Sequence, residues 1–217
     1  VSDGVLYKFN ASTWSKSQSK KFNSGAISDG KVRHANASTW FDNYPMEQIF
    51  TTTFDVVWTQ AYNGSGVKLD SATWGDHPRC GDSINFQGLF GFDNSAMKSF
   101  VSNGVIQSIK FTCMYDDPSH AGTPVVSFAP HVYTSKPSSY NGNQANKNYN
   151  ASSTFNQTGA DYTRQISLPV GAWLNGSFGG VLIYAGATAG NSVRFAGKTT
   201  SHGLNAYNSQ IEISVLK

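Results

Sequence analysis

Charge is scarce in this chain. Only 13% of its 217 residues are Asp, Glu, Lys or Arg, against roughly a quarter in an average soluble domain. Gly, Ser, Thr, Asn and Tyr fill the gap, giving the neutral, hydroxyl- and amide-rich surface of secreted, cell-surface or virion β proteins. The basic excess is three charges (16 − 13), scattered along the chain, so nucleic acid is not an expected partner. No apolar run reaches the roughly 18 residues of a membrane span, so no membrane insertion is expected. There is no signal peptide and the first residue is Val1 rather than Met, the pattern expected of a processed or excised chain.

Other absences narrow the chemistry. The cysteines number two, Cys80 and Cys113. They permit a single disulfide in an oxidising compartment, or two separate thiols. No CxxC occurs, and the Cys and His spacings do not suggest zinc. The glutamates also number two, Glu47 and Glu212, with no pair at strand spacing, which argues against a retaining glycosidase. GxSxG, P-loop and HExxH motifs are missing. An apolar fraction of 39% still supports a real core, and the length suits one all-β domain over 1–217.

What is present is strand material. Ile49 to Tyr62 is β-branched and aromatic throughout, without Gly or Pro, and Phe54, Val56 and Trp58 share a parity. Val105 to Tyr115 alternates, a polar loop from Asp116 to Thr123 follows, and a second apolar run covers Pro124 to Val132. The pair predicts a hairpin or two paired neighbours. Further strands are expected at Val5–Phe9, around Val32, and over Ile84–Phe92 with a bend near Gly88. Others are expected over Asp161–Leu168, Gly179–Tyr184, Ser192–Ala196 and Tyr207–Leu216. In the last of these, Ile211, Ile213 and Val215 should face inward.

Polar, lysine-bearing Ser15–Ser24 fits an edge strand. Asn94 to Val101 fits two helical turns capped by Asn94 or Ser95, and Pro169–Leu174 a short helix closed by Asn175-Gly176. Ser135 to Thr154 reads as an Asn- and Ser-rich loop. With roughly nine to eleven strands and no helical crossovers, the expectation is an antiparallel two-sheet β-sandwich, jelly-roll-like, with one or two short helices. Asn-Ala-Ser-Thr-Trp at Asn10–Trp14 recurs at Asn36–Trp40, with a variant at Asp70–Trp74, which reads as repeated turn chemistry. Six Asn-x-Ser/Thr triplets begin at Asn10, Asn36, Asn63, Asn150, Asn156 and Asn175. They would be glycosylation acceptors only in a eukaryotic secreted protein.

From Asn94 onward the order is NSAMKSFV, VIQSIKFTCMY, VVSFAPHVYTSKP, an Asn-rich loop, ISLPVGAWLNGSFGGVLIYAG, NSVRFAG and IEISV. This resembles a β-sandwich module of tail, baseplate and fibre proteins from phages of Gram-positive bacteria. The resemblance implies a non-catalytic, carbohydrate-binding-type domain on a virion or cell surface. Its partners would be host cell-wall or surface polysaccharide and other tail or baseplate proteins. It places His131, Tyr133, Lys136 and Pro137 on the family's His-Tyr-Ser-Lys-Pro stretch, and Tyr184 and Arg194 on its late strands.

Sugar recognition needs a flat aromatic for the apolar face of the ring, and polar side chains that take vicinal hydroxyls. Trp74, Asp76, His77 and Arg79 supply both within one Gly- and Pro-containing loop, with packing of that loop as the competing reading. Trp40, Asp42 and Tyr44 form a second candidate. His131, Tyr133, Lys136 and Arg194 would be the minimal set for the enzymatic alternative, a jelly-roll lyase cleaving an anionic polysaccharide by β-elimination. A purely structural virion or adhesin domain is the third reading. No cofactor is expected. Asp116-Asp117 or Asp76 with Asp82 leave room for a structural Ca²⁺, without an ordered motif behind it.

Overall fold

Fourteen residues without Gly or Pro build the longest strand of the computed structural model, Ile49–Tyr62. The structure describes residues 7–10, 13–16, 32–36, 39–44, 47–70, 75–82, 84–116, 125–140, 149–155, 162–185, 192–199 and 206–217, with backbone alone in 7–44. The chain divides into two units, Val1–Glu47 and Gln48–Lys217, where one span over 1–217 was expected.

The first unit contains β1 (Tyr7–Asn10), β2 (Thr13–Lys16), β3 (Val32–Asn36) and β4 (Thr39–Tyr44). They pair as two antiparallel hairpins, with Asn10 opposite Thr13 and Asn36 opposite Thr39. The recurring Asn-Ala-Ser-Thr-Trp thus sets the same Asn–Thr pairing in both hairpins. The Ser15–Ser24 strand is seen only as the end of β2; the rest of it, like Val5 and Leu6, lies outside the described residues.

The second unit contains β5 (Ile49–Tyr62), β6 (Arg79–Gly81), β7 (Gln87–Phe92), helix α1 (Asn94–Val101), β8 (Val105–Tyr115) and β9 (Val125–His131). β10 (Ala151–Thr154), β11 (Tyr162–Leu168), β12 (Gly180–Tyr184), β13 (Ser192–Arg194) and β14 (Gln210–Leu216) complete it, with a short 3-10 helix at Val170–Gly176. Eight strands form one antiparallel sheet in the order β10-β9-β12-β7-β5-β14-β8-β11. β6 and β13 pair separately.

β5 links the two halves of the sheet. Ile49–Asp55 pairs with β14, whereas Val56–Tyr62 pairs with β7 after a register shift between Val56 and Trp58. Such an irregularity bends a strand and raises its twist, so the sheet curls and its outer strands β10 and β11 return to within contact of each other. The all-β, antiparallel expectation with a short helix is met. The arrangement is a near-closed barrel rather than the two balanced sheets of a jelly roll.

The inside is aromatic. Phe90 and Phe111 meet edge to face at 5.0 Å, as do Phe155 and Phe195 at 5.1 Å. Offset and T-shaped arrangements of this kind suit the ring quadrupoles. Phe111 on β8 and Phe128 on β9 lie 6.1 Å apart across the core. β8 and β9 are therefore not the hairpin that their adjacency predicts. Their apolar sets face one another, while β8 bonds to β14 and β11, and β9 to β12 and β10.

Helix α1 has the expected bounds, but Asp93 caps it. Its carboxylate accepts from the amides of Ser95 and Ala96 at 3.0 and 3.1 Å. Asn94 instead donates its side-chain amide to the carbonyl of Phe178. Trp173 stacks on Phe178 with centroids 5.8 Å apart and packs against the core.

The opposite face of β9, β12, β7 and the second half of β5 is covered as well. Alternation turns Leu89, Ala129, Leu182 and Tyr62 outward, and Tyr140 joins them in a second buried cluster. The segment 132–140 runs over this face. It is tied by Tyr62 Oη donating to Pro137 O at 2.7 Å and Tyr140 N donating to Gly66 O at 2.9 Å. Trp58 lies flat on Gly91, where a Cβ would collide with the indole.

Candidate functional site

The same end of β5 builds a cleft. The Thr59 hydroxyl donates to Asp76 O at 2.6 Å and accepts from Lys198 N at 3.0 Å. The Gln60 amide donates to Leu69 O at 2.7 Å and Ala61 O at 3.0 Å. Backbone bonds from Leu69 N to Ala61 O, from Ala61 N to Gly75 O and from Gly75 N to Asp70 O complete the frame. Two segments of irregular chain are thus fixed against a strand. Between them lies a cleft of about 380 Å³ lined by Gln60, Lys68, Leu69, Asp70 and Asp76. Lys136, from the overlying segment, reaches Asp76 at 3.2 Å, and both side chains are about one-third exposed.

The residue after Asp76 turns inward. His77 is fully buried, with Nδ1 3.0 Å from Asp116 Oδ2. Arg194 Nε donates to the other carboxylate oxygen at 3.0 Å, and its Nη2 to Asp116 O at 3.2 Å. The Gly197 amide lies 3.2 Å from the same Nδ1. One ring nitrogen cannot donate and accept at once, and the carboxylate is the stronger partner, so we assign the proton to Nδ1. Nε2 of His77 has no hydrogen-bond partner among the described residues.

Arg79 lies over the Phe86 ring at 3.9 Å and 4.0 Å from Asp82. Asp76, His77 and Arg79 therefore enter three separate environments, and of them only Asp76 lines the cleft. The expected outward cluster is corrected for His77, which burial withdraws from any surface ligand. Trp74 lies outside the described residues. Trp40, Asp42 and Tyr44 take alternate positions on β4 in the first unit.

Of the four residues proposed for elimination, His131 and Tyr133 sit together with ring centroids 5.6 Å apart, while His131, Lys136 and Arg194 are engaged by other groups. His131 is fully buried, with Nε2 donating to Phe90 O at 3.0 Å and Nδ1 accepting from Tyr133 N at 3.2 Å. Burial pulls its pKa down to about 4, with the Phe90 contact opposing, so the ring is neutral at physiological pH and both nitrogens are spent on backbone. Burial raises the Tyr133 phenol above its ordinary range. Lys136 pairs with Asp76, and Arg194 is committed to Asp116.

Cys80 and Cys113 are both buried free thiols, so the candidate bridge is not formed. Burial pushes both pKa values up; Arg79 opposes the rise at Cys80, and Cys80 adds to it at Cys113. The carboxylates suggested for Ca²⁺ sit beside cations: Asp116 by Arg194, Asp76 by Lys136 and Asp82 by Arg79. Asp117 lies outside the described residues. Among the described residues no three metal-ligating side chains gather, and no helix is long and apolar enough to cross a membrane.

Sequence reasoning passed over Gln60, Lys68, Leu69 and Asp70. The last three follow closely on Asn63-Gly64-Ser65-Gly66, the break that ends β5, and that break was the available signal. Gln60 carried none, because strand alternation does not say which polar residue meets a returning loop. No protein-family model matches the chain, and none of the curated proteins compared with it is significantly similar.

Proposed function

We propose that this chain is a non-catalytic carbohydrate-binding module that recognises cell-wall or surface polysaccharide. The observation that carries the reading is the cleft beside β5, with Lys68, Asp70 and Asp76 on its wall. Its volume falls within the roughly 300–1,000 Å³ of small-molecule sites. Carboxylates accept from sugar hydroxyls and an ammonium donates to them, so adjacent hydroxyls of one ring can be held together, with Leu69 on the wall in place of an aromatic ring for the sugar's apolar face. The frame is fixed in advance by the Thr59 and Gln60 hydrogen bonds, which limits the ordering cost of binding. The resemblance of the Asn94–Lys217 stretch adds the setting: an adhesion device of a phage tail or baseplate, on a virion or outside the cell.

A glycan array together with binding to Gram-positive cell walls tests this. Wild-type protein should be retained. Asp70→Ala and Asp76→Ala should each weaken retention about tenfold to a hundredfold, the worth of one charge-assisted hydrogen bond. Undiminished binding in both folded variants would remove the cleft as the site.

A further inference from the structure

The cleft also carries information about the charge of its ligand, and this inference rests on the saccharide reading above. Its wall presents Lys68, Asp70 and Asp76, with Lys136 3.2 Å from Asp76. The formal charges of these four groups cancel. We infer that the cleft selects an uncharged saccharide, and that Asp70 together with the Lys136–Asp76 pair sets this preference.

An anionic sugar, bearing a carboxylate or phosphate, meets two carboxylates on the wall. To pair with Lys136 it must displace Asp76 from a bond already made, and Asp70 and Asp76 repel it at contact range, well inside the screening length of salt. A sugar hydroxyl faces no such competition. A carboxylate offers about four lone-pair positions and an ammonium three donors, so the Lys136–Asp76 bond leaves acceptor and donor capacity on both partners. Hydroxyls can add to the pair without breaking it. The pair also lies where segment 132–140 meets the cleft wall, so Lys136 holds Asp76 in place before the ligand arrives.

The test is retention on an array carrying neutral glycans and their uronate- and phosphate-bearing counterparts, read at about 50 and 500 mM NaCl. The neutral set should be preferred, with affinity changing less than about twofold between the two salt conditions. Asp70→Asn leaves the cleft with net positive charge, and should raise relative retention of anionic glycans about tenfold in a salt-sensitive way. Lys136→Met should lower neutral-glycan retention severalfold and leave anionic glycans unbound. Preference for anionic glycans, or equal retention of both, overturns the inference while leaving the saccharide reading standing. Retention of no glycan by folded wild-type protein overturns both.

Discussion

His131 is a titratable side chain with nothing left to titrate for. Its ring sits between Trp58 and Tyr133, with centroids 5.6 Å from each, and backbone groups occupy both nitrogens. A pKa of about 4 in the folded chain against an ordinary value near 6.5 has a definite sign. Between those values the unfolded chain takes up a proton that the folded chain refuses. The stability that neutral His131 contributes is complete above pH ~6.5, and is lost as pH falls toward 4, by roughly 3 kcal/mol in all. Urea midpoints from pH 7.5 to 4.0 should show that slope, and His131→Gln should flatten it despite being less stable at neutral pH. An unchanged slope in the variant would place the titrating group elsewhere. In the sequence, His131 stood in a stretch that invited a catalytic reading beside Tyr133 and Lys136. Strand parity puts residues on one face but does not reveal that a segment comes back to bury it.

At the level of elements, one buried ion pair reinforces three pieces of chain that backbone bonds already join, Tyr115 bridging Phe195 and Phe195 N donating to Pro78 O at 2.8 Å. Asp116 follows the last residue of β8, Arg194 ends β13, and His77 belongs to the turn that carries Asp76 on the cleft wall. Removing the carboxylate takes the Nε partner from a guanidinium whose side chain is only 13% exposed, and leaves its Nη2 bond to the Asp116 carbonyl. Asp116→Ala should therefore cost about 3–5 kcal/mol in equilibrium unfolding. Arg194→Met should cost a comparable amount, and the double variant clearly less than the sum, because both changes remove the same contact. Additive costs would show that the two residues act independently. This knot was invisible in the sequence, since its members lie in separate elements and charge pairing has no period. Element bounds were far more legible. β5, α1 and β8 coincide with their expected spans because apolar periodicity and Gly breaks mark them locally. Partner choice was less so: β8 and β9 share a loop yet face each other across the core. β10 was missed because Ser and Thr on an outer strand, with Ser127 and Ser152 hydroxyls 3.2 Å apart, look like loop composition.

The molecule as a whole is stapled by no covalent link among its described residues, so its two thiols report on its cohesion. Cys80 lies on β6, outside the eight-stranded sheet, and Cys113 on β8 within it, yet both belong to the same buried aromatic core and neither is exposed. Burial raises both thiols above their ordinary pKa, which further lowers the reactive thiolate fraction. A thiol reagent should therefore find neither residue until the core opens. Without reductant, both should be countable in denaturant, and native labelling should be slower by more than about a thousandfold. If the barrel and the β6–β13 pair open as one unit, the two rates should coincide and fall together with any stabilising change. Rapid labelling of Cys80 alone would mark β6 and β13 as a locally opening flap, and so would put the cleft wall at Asp76 on the less stable part of the fold. Failure to count two thiols in denaturant would mean that the pair had oxidised.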